Sequence, residues 1–96
     1  MYTIVEKIGN SKKRVSLSLD SQPGHCVKLA GSFNDWDPES SPMPEKAAGH
    51  YAVTLELAPG YYEYKFVIDG EWVLDDGNSN FASNDFGTLN SVLQLD

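Results

Sequence analysis

The sequence has little cysteine, little positive charge and no long apolar run. Cys26 is the only cysteine among 96 residues, so no internal disulfide can form. A chain without disulfides is typical of a reducing compartment, and we expect a cytoplasmic protein. No stretch approaches the roughly 18 apolar residues of a membrane span. Residues 1–9 also lack the basic start and apolar block of a signal peptide. These absences predict a chain with no membrane partner.

Basic residues are also scarce. The chain has 7 Lys and Arg against 14 Asp and Glu, which gives a net charge of −7. Nucleic acids and anionic membranes select basic surfaces, so neither is an expected partner. After Lys46 only Lys65 is basic. An isolated lysine in an acidic half is either a salt-bridge partner of Glu63 or Glu71, or a ligand contact. On the sequence alone the salt bridge is favoured.

The most informative stretch is 61–74, in which two runs of aromatic and β-branched residues flank Asp69 and Gly70. An Asp-Gly pair between such runs predicts a β-hairpin with a type I′ turn, because both central residues need a positive φ. A two-residue loop also fixes which residues pair across the ladder. The predicted pairs are Ile68 with Glu71, Val67 with Trp72, Phe66 with Val73, and Lys65 with Leu74.

This register assigns every side chain of the hairpin to one of two faces, because residues alternate along a strand and opposed residues share a face. The face that is apolar enough to be the core carries Tyr62, Tyr64, Phe66 and Val73. The other face carries Glu63, Lys65, Val67 and Trp72. It places a large indole beside a lysine in solvent, which calls for a functional explanation. A surface tryptophan covered by the 75–87 loop is the alternative.

The rest of the chain is predicted to form short strands separated by turn residues. Residues 1–11 are an edge strand or an extended arm. Apolar and alternating runs predict strands over 15–19, 26–30, 51–57 and 91–95, with long loops over 32–49 and 75–87 at the ends or edges of the fold. Six or seven short strands in so short a chain predict an all-β, immunoglobulin-like β-sandwich of about seven strands. We expect one sandwich domain over 13–96, preceded by the arm or edge strand at 1–12.

Metal sites find little support in the sequence. Asp76 begins a run that starts like a calcium loop, but Phe81 stands where that loop needs Gly, and Gly87 where it needs Glu. The two histidines and Cys26 have no zinc-ligand spacing. We therefore expect neither a metal nor another cofactor.

Catalytic groups find little support either. His25 and Cys26 are neighbours in a predicted strand, so they point to opposite faces and cannot pair as base and nucleophile. A small buried thiol and a surface imidazole are the simpler interpretation. Asp35, Asp37 and Glu39 could supply carboxylates for glycoside hydrolysis, but one acidic loop without a cleft favours helix capping or turn formation. We expect no enzyme.

Three blocks of the sequence carry a resemblance to a known family. They are Gly31-Ser32-Phe33-Asn34-Asp35-Trp36, Tyr64-Lys65-Phe66-Val67-Ile68-Asp69-Gly70-Glu71-Trp72 and Phe86-Gly87-Thr88-Leu89-Asn90-Ser91-Val92. Together they resemble carbohydrate-binding module family 48. That family includes the glycogen-binding domain of the AMP-activated protein kinase beta subunit and the N-terminal early-set domain of isoamylases and branching enzymes. The match spans about residues 13–95, and the short length resembles that of standalone proteins made of this domain alone.

The resemblance implies a set of sugar-binding residues. In the kinase-subunit members, two tryptophans, a lysine, a threonine and an asparagine hold an α-glucan, and the matching positions here are Trp36, Trp72, Lys65, Thr88 and Asn90. Phe86 stands where those members carry a leucine that projects into the curve of the glucan, so we expect its flat ring to stack instead. The hairpin register and the alternation of the last strand independently place Lys65, Trp72 and Asn90 on outer faces.

The implied function is non-catalytic binding of glycogen, starch or maltooligosaccharide on an exposed tryptophan platform. The apolar faces of glucose rings pack on indole planes, and a shallow site predicts a Kd of order micromolar to millimolar. The resemblance also implies an enzyme of glycogen or starch metabolism as a partner. Two alternatives stay open. Trp36 could close one end of the core, and the sandwich could lack a sugar site and bind a protein through an edge strand or the aromatic patch.

Overall fold

The computed structural model describes residues 3–8 and 12–95, and this part of the chain forms nine β-strands. They are β1 Thr3–Ile8, β2 Lys12–Asp20, β3 Val27–Gly31, β4 Glu45–Ala47, β5 His50–Leu57, β6 Gly60–Ile68, β7 Glu71–Val73, β8 Phe81–Ser83 and β9 Leu89–Leu95. Two short 3-10 helices cover Ser32–Asn34 and Pro38–Ser40. No helix in these two ranges is long and apolar enough to cross a membrane.

The strands form two antiparallel sheets that pack into a β-sandwich. One sheet has the order β1-β2-β5-β4, and the other has the order β3-β6-β9-β8 with β7 added to β6. The predicted all-β sandwich is confirmed. The strand count exceeds the expected seven because the two segments predicted as loops contain the short strands β4 and β8.

The first strand lies at an edge of its sheet, where it pairs with β2. Residues 1, 2, 9–11 and 96 lie outside the described residues. The division into an arm or edge strand at 1–12 and a sandwich at 13–96 stays a prediction.

Alternate residues of both sheets meet in one core. Its buried members are Val15, Leu17, Val27, Leu29, Met43, Tyr51, Tyr64, Phe66, Leu93 and Leu95. Burying one such side chain contributes about 1.5–3 kcal/mol, so this cluster supplies most of the stability that holds the sheets together. Tyr64 and Phe66, which the hairpin register assigned to the core face, are among them, and Tyr62 packs against the cluster.

The hairpin between β6 and β7 has the predicted turn and register. Asp69 and Gly70 have φ values of 50° and 86°, as a type I′ turn requires. The observed pairs are Phe66 with Val73, Val67 with Trp72, and Ile68 with Glu71. Val67 shares the outer face with Trp72 as predicted, yet it is buried.

Strand β6 changes its partner along one edge. Its first half, Gly60–Tyr64, pairs with β9, whereas Phe66–Ile68 pairs with β7. The predicted pair of Lys65 with Leu74 is therefore wrong, because β7 ends at Val73 and the following segment turns inward. Lys65 lies where one partner strand stops and the other begins.

A buried polar cluster closes this junction on the core side. Tyr64 Oη donates to Asp75 Oδ2 at 2.7 Å, and the backbone N–H of Asp75 donates to Ser91 Oγ at 3.0 Å. Asn78 Nδ2 donates to Tyr64 Oη at 3.1 Å and to the carbonyl oxygen of Val92 at 2.8 Å. Burial, together with the hydrogen bond to Asp75, raises the pKa of the Tyr64 phenol far above its ordinary value. The phenol therefore stays neutral and donates to the carboxylate.

The interpretation of Cys26 as a buried thiol is wrong. Strand β3 begins only at Val27, and Cys26 is exposed. Asp69, in the hairpin turn, binds His25 and Cys26, the two residues that precede β3. Its Oδ1 accepts from the backbone N–H of Cys26 at 2.8 Å, and its Oδ2 lies 2.5 Å from His25 Nδ1. Because the Asp69 carboxylate binds the backbone N–H of Cys26, this residue is held beside the exposed hairpin turn, one residue before the strand that enters the core.

The acidic loop contains the predicted cap. Asp37 caps the 3-10 helix Pro38–Ser40, accepting from the backbone N–H of Glu39 and from Ser40 Oγ, each at 3.0 Å. Glu39 in turn forms an ion pair with Lys28. Within residues 3–8 and 12–95, no group of three or more His, Cys, Asp or Glu side chains could hold a metal ion.

Stability should fall in acid through Glu45, whose carboxylate links two turns. It accepts from the backbone N–H groups of Gly49 at 2.8 Å and Gly24 at 3.2 Å, and these bonds lower the pKa of Glu45. A pKa that is lower in the folded state contributes stability above the unfolded value, near 4.5, which is lost as the pH falls through the folded pKa. We expect Glu45→Gln to unfold more easily at pH 7 and to show a shallower loss between pH 5 and pH 3.

Urea unfolding monitored by tryptophan fluorescence across this pH range measures the effect. Glu71→Gln is the matched control, because Glu71 is an exposed carboxylate on β7 away from both turns. Parallel pH profiles for the wild type and Glu45→Gln would contradict the linkage.

Candidate functional site

One open groove lies on the outer face of the five-stranded sheet, beside the point where β6 changes its partner. It has a volume of about 760 Å³. Its walls are Ser32, Trp36, Glu63, Lys65, Trp72, Ser83, Asn84, Asp85, Phe86, Thr88 and Asn90, and we call it the aromatic groove. All six residues predicted for the site are among these eleven. Folding thus brings these six residues together from β6, β7, β9 and two loops.

Two tryptophans lie side by side in the aromatic groove. The ring centroids of Trp36 and Trp72 are 6.5 Å apart, and the ring planes are inclined by 37°. Trp72 exposes 48 % of its surface, whereas Trp36 is half-buried. Phe33, and not Trp36, packs against the core, where its ring meets that of Tyr62 edge to face at 6.1 Å. The loop therefore closes the core with Phe33 and leaves Trp36 at the groove, where the two indoles form an angled apolar surface.

An unusual backbone conformation directs Trp36 to this position. Asp35 and Trp36 have φ values of 56° and 60°, so two consecutive non-glycine residues are left-handed. Each costs roughly 1–2 kcal/mol, and such strain is typical of functional positions. The backbone N–H of Trp36 donates to the carbonyl oxygen of Gly31 at 2.9 Å. Asn34 fixes the loop from within, since its Oδ1 accepts from the Gly31 N–H at 3.0 Å and its Nδ2 donates to the carbonyl oxygen of Leu29 at 3.0 Å.

Lys65 donates to another groove residue. Its Nζ donates to Thr88 Oγ1 at 3.0 Å. The salt bridge with Glu63 or Glu71 that was favoured on charge alone is not among the contacts of Lys65 in the described part of the chain. Glu63 accepts from an amide instead. The ammonium keeps further N–H groups that can serve as donors in the groove.

Asn90 lies on the outer face, as the alternation of β9 predicted, but it is buried. Only 7 % of its surface is exposed. Its Nδ2 donates to Glu63 Oε1 at 3.1 Å, and its Oδ1 accepts from Asn84 Nδ2 at 2.9 Å. Asn90 thus lies on the predicted face, but the neighbouring amide and carboxylate cover it.

Asn84 is one of five groove residues that sequence analysis did not assign to the site. Its Oδ1 accepts from the backbone N–H groups of Phe86 at 3.0 Å and Thr88 at 3.1 Å. The backbone N–H of Gly87 donates to the Asn84 carbonyl oxygen at 3.4 Å, closing a β-turn. Asn at the first position of a turn and Gly at the fourth form a known turn signature, so the signal was present in the sequence. The turn carries Phe86 into solvent with 90 % of its surface exposed.

Comparison with known proteins identifies relatives of this chain. Residues 19–96 match the family described as the glycogen recognition site of AMP-activated protein kinase. The chain is 33 % identical over 73 residues to 5'-AMP-activated protein kinase subunit beta-1 of Sus scrofa, a match that covers 75 % of this chain and 56 % of that protein. It is equally identical over the same length to subunit beta-1 of Homo sapiens, where 25 % of the relative is covered.

Subunit beta-2 of Mus musculus is 33 % identical over 76 residues, which are 78 % of this chain and 27 % of that protein. The chain thus spans between about a quarter and about half of the length of these relatives. The family match extends over most of the chain, and it includes the tryptophan loop, the β6–β7 hairpin and β9. The resemblance inferred from the three sequence blocks is confirmed, and the chain belongs to the family of the glycogen recognition site of AMP-activated protein kinase.

Proposed function

We propose that this chain is a non-catalytic module that binds α-1,4-glucans such as glycogen, starch or maltooligosaccharides in the aromatic groove. The observation that carries the proposal is the meeting of Trp36 and Trp72 beside Lys65 in a member of a glycogen-recognition family. An exposed tryptophan beside a cation on a rigid hairpin matches the two chemical features of a sugar, which are an apolar C–H face and a rim of hydroxyl groups.

The indoles supply the apolar contact. Aromatic rings bury a large area, and a favourable ring contact contributes about 0.5–1.5 kcal/mol beyond that area. The angle of 37° between the two planes suits two successive sugar units of a curved chain better than a flat one. Since α-1,4-linked glucose chains curve, the angled surface favours them over extended polymers.

Polar groups of the aromatic groove would orient the sugar through hydrogen bonds. Lys65 and Thr88 already contact each other, so a sugar meets a preformed pair of polar groups. Asn90 is nearly covered, so we propose that it contributes one remaining amide N–H and mainly holds its neighbours in place. Phe86 projects from its turn into solvent, and we propose that it stacks on a further ring of the glucan.

The net charge of −7 fits a neutral ligand. Because a shallow groove buries little of its ligand, a single chain end should bind weakly, and several sites along a polymer would raise the apparent affinity. We further propose that the module brings an enzyme of glycogen or starch metabolism to the polymer.

Trp72→Ala should weaken binding of maltoheptaose at least tenfold, because the more exposed of the two groove indoles is lost. A tenfold change corresponds to about 1.4 kcal/mol, which is within the range of one aromatic contact plus its buried area. NMR titration with millimolar maltoheptaose and co-sedimentation with glycogen measure the effect. Tyr61→Ala is the matched control, since Tyr61 is 54 % exposed but lies outside the aromatic groove.

Three outcomes separate the candidate functions. Retention of the wild type and Tyr61→Ala, with loss of Trp72→Ala, supports the glucan-binding site. Equal retention of all three proteins contradicts the groove as the site. An absence of shifts in the wild type at millimolar sugar contradicts glucan binding and supports a protein-binding sandwich.

A further inference from the structure

We infer that Asn84 is a positioning residue that turns the Thr88 hydroxyl into a hydrogen-bond donor. Lys65 and Thr88, which we call the polar wall of the aromatic groove, then select acceptor oxygens of the ligand. The inference rests on the proposed glucan binding and deepens it. It assigns a role to a residue outside the predicted site and states which atoms of the sugar the wall recognises.

The orientation of the Asn84 amide is fixed by the backbone. Two backbone N–H groups, those of Phe86 and Thr88, point at its Oδ1 from 3.0 and 3.1 Å. An amide flipped by 180° would direct an NH₂ group at two N–H donors, which is electrostatically unfavourable. The Nδ2 atom must therefore face the other side, where its two hydrogens meet Thr88 Oγ1 at 2.7 Å and Asn90 Oδ1 at 2.9 Å.

This orientation fixes the role of Thr88. A hydroxyl oxygen has two acceptor sites and one hydrogen. Thr88 Oγ1 accepts from Asn84 Nδ2 at 2.7 Å and from Lys65 Nζ at 3.0 Å. Both acceptor sites are thus occupied, and the hydroxyl hydrogen is left to point into the groove. Lys65 has no acceptor atom on its side chain, so Lys65 and Thr88 present only hydrogens to a ligand.

The ligand must then offer oxygen lone pairs at this wall. Ring oxygens, glycosidic oxygens and hydroxyl groups that donate elsewhere all meet this condition. Of the two carboxylates that line the groove, Glu63 accepts from Asn90 Nδ2 at 3.1 Å, and Asp85 is exposed in the Asn84 turn. The polar wall therefore binds acceptor atoms of the ligand. The Glu63 carboxylate instead holds Asn90, which accepts from Asn84.

Asn84→Asp tests the inference because it keeps Oδ1, and hence the turn, but replaces Nδ2 by an acceptor. Thr88 would then donate to Asp at position 84 and lose the hydrogen that faces the ligand. We expect maltoheptaose to bind at least tenfold more weakly. The midpoint of thermal unfolding should fall, because the buried Asn90 Oδ1 also loses its donor, so binding is measured well below the midpoint of the variant. Asn80→Asp is the matched control, since it makes the same chemical change on an exposed residue outside the groove.

A double-mutant cycle separates positioning from a simple effect of charge. Thr88→Val should weaken binding to about the same extent as Asn84→Asp. Thr88→Ser should bind like the wild type, because the hydroxyl is kept. Asn84→Asp combined with Thr88→Val should bind no more weakly than either single variant, since both remove the same donor. A purely electrostatic or structural effect of Asn84→Asp would add in full to that of Thr88→Val.

The failure of this inference differs from the failure of the proposed function. Wild-type binding with additive losses in the cycle, or with no loss in Asn84→Asp, overturns the positioning role and leaves glucan binding intact. A wild type that does not bind maltoheptaose overturns both. Loss of binding only in the variants that remove the Thr88 hydrogen supports the inference.

Discussion

Asp75→Ala should lower the free energy of unfolding by about 3 kcal/mol. Asp75 is only 2 % exposed, and its carboxylate accepts from Tyr64 Oη at 2.7 Å and from the backbone N–H of Gly77 at 3.0 Å. Removing the carboxylate leaves the buried phenol without its strongest acceptor. A buried donor without a partner costs more than the hydrogen bond itself contributed.

The neighbouring residue supplies the control. Asp76→Ala makes the same chemical change on an exposed side chain one position further along, and surface changes of this kind are usually within about 0.5 kcal/mol. Urea unfolding followed by circular dichroism measures both variants against the wild type. Similar losses for Asp75→Ala and Asp76→Ala would contradict the role assigned to the buried cluster.

The same cluster connects the core to the aromatic groove. It fixes the segment that leaves β7 after Val73 and leads to the turn that carries Phe86. Because this segment must turn inward at Asp75, β7 stops and the partner of β6 changes beside Lys65. We therefore expect Asp75→Ala to weaken glucan binding as well as stability, whereas groove variants such as Trp72→Ala should affect binding alone.

Gly31→Ala should destabilise the domain by about 2 kcal/mol, since overpacking a well-packed site typically costs 1–3 kcal/mol. The backbone of Gly31 is extended, so its conformation would accept any residue; the obstacle is space. An added Cβ atom would lie 2.7 Å from the carbonyl oxygen of Glu63 and 2.6 Å from the ring of Phe33. The ring can move aside, but the carbonyl belongs to the central strand β6 and cannot.

A smaller side chain at position 33 separates the contribution of the ring from that of the carbonyl. The double variant Gly31→Ala/Phe33→Leu is compared with Phe33→Leu alone. In that background Gly31→Ala should still lower the free energy of unfolding, although by less than in the wild type, because the clash with the Glu63 carbonyl persists. Full recovery would assign the cost to the ring. The Gly31 carbonyl oxygen also accepts from the Trp36 N–H at 2.9 Å, so a displaced strand end should shift Trp36 and weaken binding in the aromatic groove.

Local patterns in the sequence were sufficient for the sandwich and for its central hairpin. Asp69 and Gly70 specified the turn, and the turn specified the register, because a two-residue loop leaves no freedom in the pairing. Alternation along β6 then placed Tyr64 and Phe66 in the core, and alternation along β9 placed Asn90 on the outer face. These features depend only on residues close in the chain or on the period of a strand, so they follow without knowledge of the rest of the fold.

Only the tertiary structure decided how the candidate site is assembled. The distance of 6.5 Å between Trp36 and Trp72, the burial of Asn90 and the change of partner at Lys65 arise from segments that are far apart in the sequence. Asn84 carried a turn signature, but its part in orienting Thr88 depends on where β9 places that hydroxyl. The physical reason is that strand periodicity determines which face a side chain occupies, whereas long-range packing and buried hydrogen bonds determine what covers it and what it meets there.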